Sequence, residues 1–190
     1  MGFSGEEKAK LLLLARKAIG QFLETGEAPE VVKEVDAAEF SEPRGVFVTL
    51  RRGGELRGCI GFPLPTLPLG RAVMQAAVAA ASSDFRFPQV TLEELPDIAI
   101  EISVLTVPEK IEVEKPEEYP RKVKIGEDGL IIECMGHSGL LLPQVPVEEG
   151  WDAETFLGHL CMKAGLPPGT WKNEGVEIKA FKAEIMSEGK

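Results

Sequence analysis

Apolar side chains at the start of the chain recur at helical spacing. Leu11, Ala15, Ala18 and Phe22 form one stripe, widened by Leu12, Ile19 and Leu23, which predicts an amphipathic helix over residues 4–25. Ser4 and Glu7 stand at capping-box spacing at its start, and Gly26 is a suitable stop. The pattern then changes period. A β-rich run from Val46 to Leu50, the pair Gly53-Gly54 and a second run, ELRGCIGF, predict a hairpin turning on glycines. Three prolines (63, 65, 68) separate it from a helix over 70–82, whose face of Leu69, Ala72, Val73, Ala76, Ala77 and Ala80 is slim enough to lie close to a sheet. Thr91 and Glu94 repeat the capping-box spacing and predict a short helical turn. Ile98, Ile100, Ile102 and Val104 then alternate with Glu101 and Ser103, the period of a strand.

From 107 to 127 the chain is charged and broken by prolines, reading as a surface connector with one edge strand. Beyond it the first pattern returns: strand, glycine-bounded turn and strand in GLIIECMGHSGLLLPQV, then a helix opened by Asp152 and closed by Gly165. The last strand, GVEIKAFKAEI, slips phase between Ala180 and Phe181, which predicts a bulge. Hairpin, helix and strand thus occur twice, over roughly 45–106 and 128–186, and a repeat at this spacing predicts an internal duplication. Short connections favour antiparallel pairing, so the expected class is α+β, one domain over 1–190 behind a scaffold helix.

Charge narrows the function classes. The chain carries a net charge of −10, which opposes phosphate backbones and anionic lipid. Its tightest basic cluster, Arg121, Lys122 and Lys124, is hemmed in by Glu117, Glu118, Glu127 and Asp128, so neither nucleic acid nor membrane is an expected partner. Three cysteines, at 59, 134 and 161, form no disulfide framework, and no secretory leader pattern is present, which together read as cytoplasmic. Two histidines without CxxC, HxxxH or HExxH spacing give no expected metal site, and without a GxGxxG or GxxxxGK[ST] element no cofactor is expected.

The candidate chemistry sits in ELRGCIGF. Alternation puts Leu56, Gly58 and Ile60 on one face and Arg57, Cys59 and Gly61 on the other. Gly61 would leave space beside the sulfur, and the Arg57 cation would favour thiolate, the nucleophilic form. The plain alternative is that Cys59 is a small packing residue and that the glycines admit the alanine-rich helix. Asp84 and Arg86 in SSDFRFPQV can line a pocket or pin a loop; Gln144 in LLLPQV can contact a ligand or settle a turn. Cys161 falls on an apolar helix face, His137 lies in a turn, and His159 would meet Cys59 only across the fold.

These segments together resemble one family. LRGCIG, SSDFRFPQV…LEEL…IEISVL, GLLLPQV, WDAETFLGHLCMKAGL and the closing Trp171 are similar, in order over almost the whole chain, to the AMMECR domain family. The resemblance implies two β(3)α(2)-like repeats sharing a barrel-like sheet, with a larger and a smaller subdomain. It also implies association with Memo-type and radical-SAM proteins. It supplies no agreed catalytic residues; only the signature positions Leu56, Arg57, Gly58, Cys59, Ile60 and Gly61 transfer. Two functional readings follow: a binding or scaffold module working through this strand, and a thiol-dependent enzyme with Cys59 as nucleophile.

Overall fold

The N-terminal helix α1 runs Gly5–Thr25, with Ser4 and Glu7 completing the capping box and Gly26 closing it in the left-handed region at φ 78°. The computed structural model describes residues 2–30, 32 and 37–188, so the ends of the expected 1–190 span, Met1 and Lys190, lie outside it. The first hairpin pairs β1 (Gly45–Arg52) with β2 (Glu55–Phe62), turning on Gly53 and Gly54 at φ 59° and 86°. Helix α2 (Leu69–Ser82) follows, then β3 (Ile98–Leu105), antiparallel to β1. The capping box at Thr91 and Glu94 forms both of its hydrogen bonds, yet it closes a turn rather than an α-helix. Pro96 follows at once, and only a 3₁₀ turn, Leu95–Asp97, separates it from β3.

The connector holds the two-residue β4 (Glu109–Lys110) and the single-turn α3 (Tyr119–Lys122). The second hairpin is β5 (Gly129–Cys134) and β6 (His137–Leu141). Then come α4 (Val145–Glu148), α5 (Ala153–Lys163) capped by the Asp152 carboxylate, β7 (Glu177–Phe181) and β8 (Ala183–Ser187).

The strands form two four-stranded sheets, in the orders β2-β1-β3-β8 and β4-β7-β5-β6, not one barrel-like sheet. The expected bulge near Ala180 is also corrected. The phase slip marks Lys182, where the chain leaves one sheet as β7 and enters the other as β8. Strand β4 makes the reverse crossing directly after β3. The chain divides accordingly into a larger unit, residues 1–105 with 184–190, and a smaller one, residues 106–183.

Each unit has its own core. In the larger, Val46, Val48, Leu50, Ile98, Ile100 and Ile102 line one sheet face under α1 and the alanines of α2. In the smaller, Leu130, Ile132 and Ile178 meet Phe156, Leu157, Leu160 and Cys161 of α5. At about 25 cal/mol per Å² of apolar surface removed from water, these faces supply the main stabilisation of each unit. No helix among the described residues is long and apolar enough to cross a membrane.

Candidate functional site

Strand β2 is an edge strand, and its register with β1 decides where each group points. Cys59 stands opposite Thr49, and its N–H turns away from β1 to donate to Asp84 Oδ2 at 2.9 Å. Cys59 and Thr49 are therefore a non-hydrogen-bonded pair, the kind in which opposed side chains approach most closely. The Thr49 hydroxyl accordingly donates to the Cys59 sulfur at 3.3 Å, with the cysteine only half-buried.

Asp84 is 4% exposed and spends its carboxylate entirely within the larger unit. Besides the Cys59 amide it accepts from Arg86 Nε at 2.9 Å, from Arg86 Nη2 at 2.6 Å and from the Arg86 amide at 3.2 Å. The Arg86 guanidinium, then the Cys59 and Arg86 amides, hold this carboxyl well below the usual aspartate range against the opposing effect of burial. Arg86 Nη2 also reaches the Cys59 carbonyl at 3.5 Å. The pair thus stands where a further strand would be: the carboxylate replaces its carbonyl and the guanidinium its N–H. Edge strands left bare are templates for unwanted pairing.

Between these two charged residues Phe85 is 97% exposed. It rides a turn fastened by Phe87 N donating to Asp84 O at 3.0 Å, and Arg86 lies 5.5 Å from the Phe87 ring centroid. The far end of the segment is clamped by Arg57, which donates to Pro88 O at 2.8 Å and grips Glu94 through Nε at 3.2 Å and Nη2 at 3.1 Å. That grip is the first cause of a lowered Glu94 pKa.

The geometry separates the residues expected to act together. Cys59, Asp84 and Arg86 meet, and the cation beside the cysteine is Arg86; Arg57 is committed to Glu94 and two carbonyls. Gly61 does not open space beside the sulfur: a Cβ there would lie 2.4 Å from the Phe47 ring and 2.4 Å from Val46 O, so the ring covers the glycine. Gly58 is a packing residue, since its Cβ would stand 2.2 Å from Ala80 O of α2. Gln144 belongs to the smaller unit, where its Oε1 is buried without a hydrogen-bond donor among the described residues. His137 closes the second hairpin with Nδ1 3.2 Å from Ala164 O. Cys161 is fully buried, which pushes its thiol pKa up, and His159 stacks on Trp151 within the smaller unit. Among the described residues no group of three or more His, Cys, Asp or Glu could hold a metal ion. Sequence reasoning missed Phe85 and Thr49. The strand register would have found Thr49, and the position of Phe85 between two charges was its only signal.

The larger unit thus has an edge strand sealed by a side-chain ion pair, and each unit combines helices with an antiparallel sheet. The AMMECR1 family model matches residues 12–186, and the chain belongs to that family. It is 51% identical over 185 residues to protein MJ0810 of Methanocaldococcus jannaschii, covering 96% of this chain and 90% of that one. It is 52% identical over 183 residues to protein PYRAB00100 of Pyrococcus abyssi, covering 94% and 88%. The crystal structure of the uncharacterized protein PH0010 from Pyrococcus horikoshii superposes with a TM-score of 0.89 at 51% identity, over 98% of this chain and 93% of that one.

Proposed function

We propose that this AMMECR1-family protein is a binding module whose working surface is the Cys59–Asp84–Arg86 edge of the larger unit, engaging a partner protein or a small ligand. One observation carries the reading: a buried carboxylate is spent on fixing a loop whose phenylalanine stands 97% exposed. Burying a charge is expensive unless it is fully paired, and a large aromatic in water forfeits its burial energy. Both costs fall on one short turn, and a partner that covers Phe85 would recover the second. Memo-type and radical-SAM proteins are the candidate partners, by family resemblance. Capture of each on immobilised protein, comparing wild type with Phe85→Ser, tests the surface. Phe85→Ser removes no internal contact, so its melting temperature stays at the wild-type value while capture falls. Equal capture by both forms would discard this face.

A second reading has its own observation. The Thr49 hydroxyl donates to a half-buried sulfur and so fixes its orientation at the edge strand. On that reading Cys59 is the nucleophile of a thiol enzyme. Alkylation by iodoacetamide at neutral pH separates the two: a nucleophilic Cys59 reacts faster than the similarly half-buried Cys134, and parity ends the idea.

We also read the two units as copies of one duplicated block. The sheet orders correspond strand for strand, β2-β1-β3-β8 with β6-β5-β7-β4. In each, a glycine of the second hairpin strand lies under an alanine at the end of a packed helix, Gly58 under Ala80 of α2 and Gly139 under Ala164, the residue that caps α5.

A further inference from the structure

The smaller unit holds a groove of about 410 Å³ along one side of α5, independent of the Cys59 surface. That volume lies within the range of small-molecule sites. Glu154, Gly158, His159 and Met162 of α5 face Gly169 and Lys172 across it.

Three features are unspent on the fold. The His159 imidazole is fixed flat against Trp151, with centroids 3.8 Å apart and planes 9° from parallel, yet among the described residues its nitrogens make no hydrogen bond. Gly158 sits inside α5, where glycine weakens a helix relative to alanine. A methyl there would meet Pro168 only at 3.6 Å, an ordinary contact. Gly169 has φ −88°, which any residue adopts, and a methyl on it would stand in open space. Neither packing nor backbone conformation requires these glycines. Their missing side chains leave the groove floor clear.

The two ends of the groove differ. At one, the Glu154 carboxylate and the Lys172 ammonium stand 3.9 Å apart, both well exposed, with Lys172 4.9 Å above the Trp171 ring. At the other, Met162 is 55% exposed beside His159. Eight residues of helix, about 12 Å, separate Glu154 from Met162.

We propose that this groove binds a small zwitterion with a planar apolar body, of the class of an aromatic amino acid. Its ammonium meets Glu154 and its carboxylate meets Lys172. The flat body lies over the glycine floor against Met162 and the imidazole. A rim carrying one charge of each sign suits a zwitterion better than a simple anion or cation.

Both tryptophans of the chain border the groove or stack on its wall, so their fluorescence reports occupancy. L-phenylalanine is the probe, excited where phenylalanine does not absorb, with phenethylamine and 3-phenylpropionate each lacking one charge. A saturable change with L-phenylalanine is expected, weaker by about two- to fivefold for each analogue, since one exposed charged contact is lost. Gly169→Leu fills the groove and abolishes the response while melting with wild type. Gly158→Ala, which favours the helix, weakens binding while raising the melting temperature. No saturable response to millimolar L-phenylalanine, an undiminished response in both variants, or an analogue binding equally well would overturn the proposal.

Discussion

Gly58→Ala tests whether the glycine of the signature strand serves packing. The added Cβ would stand 2.2 Å from Ala80 O and 3.2 Å from Ala80 C, both backbone atoms of α2 that no rotamer change can clear. A comfortable carbon–oxygen contact needs roughly 1 Å more, so the end of α2 must lift from β2 by about that distance. A gap of this size forfeits a quarter to a half of the dispersion energy along the contact. Ala76, Ala77, Ala80 and Ala81 are all buried in that core and lose part of their packing. Overpacking of this kind costs about 1–3 kcal/mol, and with backbone on one side the upper end applies. For a chain of this length 3 kcal/mol corresponds to a fall in melting temperature of about 6–12 °C. Thermal unfolding followed by far-UV circular dichroism measures it, with Gly5→Ala as control because a Cβ there meets nothing within 4 Å. If Gly58→Ala melted within 2 °C of the control, as roughly 0.5 kcal/mol would allow, the close seating of α2 on β2 would be wrong.

Asp84→Asn breaks a buried pair, a loss of about 3–5 kcal/mol when both partners are buried; Arg86 is 45% exposed and recovers water, so about 2 kcal/mol is expected. Because the Asp84 pKa is depressed in the folded state, its contribution is fully present above the unfolded value near 4 and is lost as pH falls below it. Urea titrations at pH 7 and pH 3 should show the gap between wild type and variant narrowing at acid pH; a constant gap contradicts the pairing. Met135 holds φ 50° at the tip of the second hairpin and is 93% exposed. Asn-Gly is the favoured pair in that turn, so Met135→Asn should stabilise by about 0.5–1 kcal/mol, read as a rise in urea midpoint at unchanged slope. Gln144→Met removes a buried acceptor that has no donor and should raise the melting temperature by about 2–4 °C, equivalent to about 1 kcal/mol. A fall would mean that the amide oxygen is satisfied.

How much could be read from the residues depended on how local the cause was. The capping box of α1, the Gly53-Gly54 turn and the alternation of β3 are set within a few positions, and they formed as periodicity predicts. Arg57 is the opposite case. Its guanidinium depends on Glu94, 37 positions away, and once engaged there it cannot serve the cysteine two residues along. Glu94 was legible as a capping residue but not as the partner of Arg57, because one carboxylate does both tasks. Alternation put Gly61 on the face of Cys59, but only the register with β1 shows that Phe47 covers it. The slip at Phe181 was visible too. A bulge and a change of sheet disturb the apolar phase alike, and only pairing partners separate them.

The crossings at β4 and β8 bear on how this molecule is made. A nascent chain emerging from the ribosome presents β1, β2, α1, α2 and β3 early, yet the fourth strand of their sheet, with the Glu188 carboxylate that binds Arg16 and the Ile100 amide, is translated some 80 residues after β3. Until then β3 offers an unpaired apolar edge, so the larger unit is completed only after the smaller one has been made, and that interval is when a holding chaperone would matter most.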